Sequence, residues 1–338
     1  MRTAVDKTAM VVQHIVRHLG QPRRATQWGK DHVSTKPLIV GLSGPQGSGK
    51  TTMTRNLVKT LSGAPHNLRV FAFSMDDVYL PYEDQTRLSQ QHPANDLLAS
   101  RGLPGTHDIE LGTRTFQLLC EANRLSKEKQ QSVKVAVPSY DKSLHAGKGD
   151  QVPRAQWQLI QGPFDVVLFE GWSLGFKAVD QERLEQLYKQ SQELRQQYST
   201  VSNSTLQRDQ GGYAAQHSLE SLEFVNEQLK VYEKEWYEYL DVFVHLSAPR
   251  LSTVFKWRQQ QETELWKQRG SGMTDSQVVA FVERFMVAYE LYLERLKTEN
   301  VFNTNHNGAV SGYADISTRH LRVDLDEDRN AIGTTYVR

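Results

Sequence analysis

The sequence predicts an α/β fold, a parallel sheet with helices on both faces. Three observations predict it: short apolar runs rich in β-branched residues recur along the chain, helical segments separate them, and a glycine-rich loop joins the first run to the first of those helices. Strands covered on both faces read as continuous apolar runs, and parallel neighbours need a helical crossover between them. The 338 residues exceed a typical domain. One α/β domain with insertions absorbs that length, and no internal repeat or second glycine-rich motif asks for another. A single domain spanning residues 1–338 is therefore expected.

Residues 1–36 read as a helix and a polar link. Val5, Ala9, Val12, Ile15 or Val16 and Leu19 fall on one helical stripe. Arg2, Lys7, Arg17, Arg23 and Arg24 lend the segment a basic character, but Asp6 interrupts it and no serine precedes Ser34, so a packed helix is favoured over a presequence. Pro37 to Ser43 is the first strand. Leu68 to Ser74, Val133 to Val137, Phe164 to Phe169 and Val242 to Leu246 follow as further strands of the parallel sheet, separated by helices over Thr51 to Leu61, Leu111 to Leu125 and Leu219 to Tyr239. Residues 188–217 are rich in glutamine and serine with few apolar side chains, which predicts a mobile insertion. A final hairpin is expected from Leu321 to Leu325 and Thr334 to Val337, with its turn around Glu327 to Asn330.

Composition narrows the class. With 40 basic and 39 acidic residues the formal charge is +1, so no global field favours nucleic acid or an anionic membrane as partner. No run approaches the roughly 18 to 20 apolar residues of a membrane span, and a soluble chain is expected. The single cysteine, Cys120, excludes an internal disulfide and any multi-cysteine metal site. It fits a reducing compartment, for which the cytoplasm is the expectation ahead of mitochondrion or nucleus.

Gly44-Pro45-Gln46-Gly47-Ser48-Gly49-Lys50-Thr51, followed by Thr52, matches G-x-x-x-x-G-K-S/T between an apolar strand and a helix-compatible run. The glycines let backbone N–H groups turn inward around phosphate oxygens at the positive end of the following helix. Lys50 supplies a point charge for the β- and γ-phosphates, and the Thr51 hydroxyl suits Mg²⁺. ATP with Mg²⁺ is the expected pair.

Carboxylates then select among phosphate-loop proteins. Phe73-Ser-Met-Asp-Asp-Val-Tyr79 ends the second strand, and the carboxyl ends of parallel strands face the ligand crevice. Asp76 is placed there as the base that takes an acceptor hydroxyl's proton, while Asp77 reaches Mg²⁺ through water or fixes the loop. Phe164-Asp-Val-Val-Leu-Phe-Glu-Gly171 ends in Glu170, the position of a magnesium carboxylate.

With those residues, the chain resembles the glycerate kinase-like branch of the phosphoribulokinase, uridine kinase and pantothenate kinase superfamily. The resemblance rests on Gly44 to Thr52, Phe73 to Leu80, Arg101-Gly-Leu-Pro-Gly-Thr-His-Asp108, Pro138-Ser-Tyr-Asp-Lys-Ser143, Phe169-Glu-Gly-Trp-Ser-Leu-Gly-Phe176, and Met273-Thr-Asp-Ser with Phe281 to Tyr289. It implies the P-loop kinase fold and an ATP-dependent kinase acting on a small-molecule alcohol. Asp76 is implied as base, Thr51, Asp76 and Glu170 as the magnesium site, and Tyr140 and Asp141 as part of the acceptor pocket. A helical lid is implied over residues 252–272, where Lys256, Arg258 and Arg269 would neutralise transferring charge. The sequence departs from the family in the 188–217 stretch and at Met75 and Val78, apolar for apolar.

Glycerate, the leading acceptor on this resemblance, carries a carboxylate and calls for a fixed cation; Arg101, Lys142 and Arg284 are the candidates. Arg101 and His107 bracket a Gly-Leu-Pro-Gly turn, and Asp77, Tyr79 and Asp108 complete the expected acceptor set. The competing readings are a nucleoside or vitamin kinase, which needs an aromatic stacking surface, and a non-catalytic ATP-binding regulator. The joint presence of Lys50, Thr51, Asp76 and Glu170 argues against the regulator.

Overall fold

A computed structural model describes residues 6–21, 36–198, 209, 211–303 and 315–338. Helix α1 (Lys7–Leu19) is capped by Asp6, whose Oδ1 accepts the Thr8 amide at 2.8 Å. Its buried face is Val11, Val12, His14, Ile15 and His18, rotated slightly from the expected stripe, since Ala9 is exposed. The call on Val5 and on the link over 22–35 lies outside the described residues.

Strands β1 (Leu38–Ser43), β2 (Val70–Ser74), β7 (Val166–Gly171), β8 (Val242–Ser247), β9 (His320–Leu325) and β10 (Ala331–Tyr336) form a six-stranded sheet in the order β10-β9-β8-β1-β7-β2. All neighbours are parallel except β9 and β10, which make the expected antiparallel hairpin. The predicted strand Val133 to Val137 is real as β3 (Lys134–Val137) but does not enter this sheet. It pairs antiparallel with β6 (Gln158–Gln161), and β4 (Tyr140–Asp141) pairs with β5 (Asp150–Gln151). Residues 134–161 thus fold as two small ribbons outside the main sheet: β3–β6 leads through residues 162–165 into the amino end of β7, and β4–β5 is tied to the turn after β2 through Lys142 and Asp76. A short run such as Lys134-Val-Ala-Val137 reads alike in either setting; its partner decides.

Two apolar layers bury the sheet. Side chains of Val40, Leu42, Val166 and Leu168 meet α1 and α2 (Lys50–Ser62) through Val11, Ile15, Met53 and Leu57. Ile39, Val167 and Phe169 face the other way, against α4 (Ile109–Lys129), α6 (Leu219–Glu235) and α8 (Asp275–Thr298) through Phe116, Leu229 and Val282. The alternation along β1 follows the period of 2 of a strand. Lys36 Nζ and Asp241 Oδ1 lie 3.1 Å apart in the interior, and Asp241 Oδ2 accepts the Ile39 amide at 2.9 Å, tying β1 to β8.

The stretch 188–217 begins inside a helix, α5 (Gln181–Tyr198), rather than as irregular chain. Its far end is tied down: Glu290 of α8 accepts the amides of Gly212 at 2.9 Å and Ala214 at 2.8 Å. Residues 199–208 and 210 lie outside the described residues. The expected lid is α7 (Leu251–Arg269). No helix among the described residues is long and apolar enough to cross a membrane.

Candidate active site

The site forms where three adjacent parallel strands end at one level. Register pairs Leu42 of β1 and Ser74 of β2 with Glu170 of β7, so the phosphate loop after β1, Glu170, and the turn that carries Asp76 share one edge. Gly47 and Gly49 adopt φ of 76° and 90°, the left-handed region that favours glycine. A Cβ on Gly47 would sit 2.6 Å from Cβ of Trp257 on α7, and one on Gly171 would collide with the Met75 side chain. Lys50 opens α2 and donates to the Gly44 and Pro45 carbonyls at 2.6 and 3.2 Å. Burial lowers its pKa, opposed by the charges of Glu170 and Asp76, which places those three groups in one electrostatic unit. Burial likewise raises the Glu170 carboxyl, against the pull of Lys50.

Asp76 and Asp77 lie in a single 3₁₀ turn, Met75–Val78. Ser74 Oγ accepts the Asp76 amide at 3.1 Å and Asp77 Oδ2 accepts the Ser74 amide at 2.8 Å, a capping box that spends Asp77 on fixing the turn. Burial raises the Asp77 carboxyl. Asp76 keeps its carboxylate in the site. Its Oδ1 accepts the Tyr79 hydroxyl at 2.9 Å, and its Oδ2 pairs with Lys142 Nζ at 2.5 Å. Burial pushes its pKa up, but Lys142 and the Tyr79 hydrogen bond outweigh burial and hold the carboxyl below its ordinary value.

Tyr79 is itself braced. Its ring stacks on His107 at 4.4 Å between centroids, and the two backbones form an isolated bridge. His107 Nδ1 lies 2.7 Å from the Tyr232 hydroxyl of α6, which also accepts the Gly105 amide at 2.9 Å. That hydroxyl donates to Nδ1 or accepts from it according to the tautomer of the imidazole. Burial, which lowers the His107 pKa to about 4, keeps the ring neutral. His107 is buried behind Tyr79 rather than turned into the crevice.

The ribbon β4–β5 supplies the opposite wall with Tyr140 and Lys142. Arg101 donates to the Gly147 and Lys148 carbonyls of the connecting loop, and its guanidinium lies 5.5 Å from the Tyr140 ring centre. Arg284, from α8, donates to Ser100 Oγ; burial and the charge of Arg101 lower its pKa. Asp141 and Asp108 take local tasks. Asp141 accepts the Ser143 amide and hydroxyl at 2.8 and 2.6 Å, and Asp108 caps α4 through the Leu111 amide at 2.9 Å.

The basic side chains of α7 are engaged with protein carboxylates: Lys256 with Glu327 at 3.0 Å and Arg258 with Glu262 at 2.8 Å. The side chain of Arg269 lies outside the described residues. The arginine that does reach the phosphate loop was not among the expected residues. Arg329, in the β9–β10 turn at φ 68°, donates through Nε to the Gly47 carbonyl at 2.6 Å and through Nη1 to Gln260 at 2.8 Å. Tyr289 of α8 grips the other flank, donating to Gln46 Oε1 at 3.0 Å and accepting the Gln46 amide at 3.2 Å. Tyr289 sits in the apolar run of α8, so its sequence signal was present; Arg329 gave none beyond its place in a turn.

Comparison with known proteins adds independent evidence. The chain is 32% identical over 306 residues to the chloroplastic D-glycerate 3-kinase of Arabidopsis thaliana, covering 90% of this chain and 56% of that protein. It is 34% identical over 300 residues to a Saccharomyces cerevisiae protein named Probable ATP-dependent kinase TDA10, covering 88% of each. Among solved structures, a D-glycerate 3-kinase from Cryptococcus neoformans var. grubii superposes with a TM-score of 0.75 at 31% identity, over 98% of this chain and 99% of that one. No family profile matches the chain.

Proposed function

We propose that this chain, which belongs to the family of ATP-dependent P-loop kinases containing the plant and fungal D-glycerate 3-kinases, transfers the γ-phosphate of ATP to a hydroxyl of D-glycerate or a close small hydroxy acid. The observation that carries the acceptor is a lysine on the base with two arginines beside the tyrosine that holds it. Lys142 pairs with Asp76, and Arg101 and Arg284 are electrostatically coupled to each other and to Tyr79. A small carboxylate is the ligand such a wall suits, because a guanidinium fork bonds both its oxygens. A nucleoside would need a free aromatic face, whereas Tyr79 already stacks on His107 and Tyr82 on His145.

The division of labour follows from position. Backbone amides of residues 44–52 and the α2 N-terminus hold the phosphates, with Lys50 beside them. Asp76 takes the acceptor's hydroxyl proton as that oxygen attacks the γ-phosphorus. The donor set fits magnesium, a hard cation that prefers oxygen ligands: the exposed hydroxyl of Thr51 and the half-buried carboxylate of Glu170 would hold it, since both oxygens of Asp76 have other partners. Bound there, magnesium would supply charge neutralisation for the leaving phosphate. The half-buried lone Cys120 supports a reducing compartment, the cytoplasm.

Purified protein with ATP, Mg²⁺ and D-glycerate is expected to release ADP in step with phosphorylated acid. ADP at background with D-glycerate, alongside turnover of uridine or pantothenate, overturns the acceptor.

A further inference from the structure

We propose that Lys142 makes the availability of the base depend on the acceptor's own anionic group: the acid draws Lys142 off Asp76, so that only an acceptor bearing a negative charge next to its hydroxyl meets an unneutralised base. The inference rests on the kinase reading above and goes beyond it, because it assigns Lys142 a second partner in the reaction rather than a static place in the pocket.

The two donors on Asp76 differ in kind. Tyr79 is 4% exposed, stacked on His107 and bridged to it through the backbone, so its hydroxyl stays on Oδ1. Lys142 has 55% of its side chain exposed and stands just after the two-residue strand of a small ribbon. Among the described residues its hydrogen bonding goes to Asp76 alone. Arg101 and Arg284, the other cations of that wall, are anchored to Gly147, Lys148 and Ser100. Lys142 is thus the cation with both a flexible stem and a partner that competes with an incoming carboxylate.

With the Tyr79 hydroxyl 2.9 Å from Oδ1 and Lys142 Nζ 2.5 Å from Oδ2, each oxygen of Asp76 already has a donor against it, and an incoming hydroxyl must compete with Lys142 for Oδ2. Around Asp76 the remaining charges, Lys50, Glu170 and Asp77, are held by the phosphate loop, β7 and the 3₁₀ turn. Lys142 is the movable one. When an acid enters, its carboxylate replaces Asp76 as the partner of Lys142. The hydroxyl oxygen then forms its bond to the γ-phosphorus, the bond to the β,γ-bridging oxygen breaks with its electron pair leaving on ADP, and the hydroxyl proton passes to Asp76 Oδ2. Lys142 keeps its proton throughout. Water and neutral alcohols bring no such anion and meet the neutralised base, which would keep ATP from being hydrolysed while no acceptor is bound.

The test compares wild type, Lys142→Met and Lys142→Arg for ADP release with ATP and Mg²⁺ alone, with glycerol, and with D-glycerate. For Lys142→Met, acceptor-free and glycerol-dependent ADP release are expected to rise roughly 3- to 10-fold while the KM for D-glycerate rises by at least about 10-fold. Lys142→Arg should return acceptor-free release to the wild-type level. A KM increase with acceptor-free release unchanged in Lys142→Met would reduce Lys142 to an acceptor-binding cation and overturn the proposal. If wild type proves inactive on every hydroxy acid tried, the acceptor assignment fails, and the acceptor-free comparison still decides the role of Lys142.

Discussion

Asp76 illustrates how much a single carboxylate owes to its neighbours. It is adjacent to Asp77 in sequence, yet the capping box commits Asp77 to the Ser74 amide and leaves Asp76 to face Tyr79 and Lys142. Replacing Asp76 with Asn keeps the shape and removes the proton acceptor. Turnover of the acid is expected to fall by at least about 100-fold, the usual contribution of a general base, with ATP affinity in a nucleotide-binding titration unchanged. Turnover within a few-fold of wild type would remove Asp76 as the base. His107 shows the converse. Its position after the Gly-Leu-Pro-Gly turn suggested an acceptor contact, but the ring is buried between Tyr79 and Tyr232, where it braces the tyrosine that donates to Asp76.

At the scale of elements, the C-terminal hairpin does more than close the sheet. Its turn is keyed into the root of α7: Trp257 Nε1 donates to the Glu327 carbonyl at 2.7 Å, Lys256 pairs with Glu327, and Arg329 spans from Gln260 to the Gly47 carbonyl. Holding that carbonyl outward keeps the neighbouring amides of the loop turned toward phosphate. Arg329→Ala should therefore raise the KM for ATP about 10-fold, the equivalent of one charge-assisted hydrogen bond, and leave the KM for the acid unchanged. An unaltered ATP KM would confine Arg329 to the packing of the hairpin. Helix α8 has a comparable double duty, since Arg284, bonded to Ser100, and Tyr289, bonded to Gln46 of the phosphate loop, stand five residues apart on it, about 7.5 Å along the axis.

Across the whole molecule, the core holds several histidines in their neutral form. Burial takes His14 and His320 down to about 3 and His245 well below its ordinary value. The unfolded chain protonates these side chains near 6.5, so below that pH it binds protons that the folded chain does not, and stability is lost as pH falls from about 6.5 toward 3. A urea midpoint that declines between pH 7.5 and 5.5 is expected, with each such group adding up to about 1.4 kcal/mol per pH unit below its unfolded pKa; a flat profile over that interval would show that the cluster is protonated without cost.

Short-range geometry and chemistry were legible in neighbouring residues alone. Glycines at 44, 47 and 49 before Lys50 specify a phosphate loop; apolar runs ending in Asp76 and Glu170 specify which strand ends carry acid; the turn at 327–330 specifies a hairpin. The packed chain added what neighbouring residues do not encode: β3 leaves the main sheet, Lys142 rests on Asp76, 66 positions away, and Arg329 crosses 282 positions to Gly47 while Lys256 and Arg258 are held by carboxylates of the protein. Local preference is written in neighbouring residues, whereas the partner of a long charged side chain depends on which distant backbone the packed core brings within its reach.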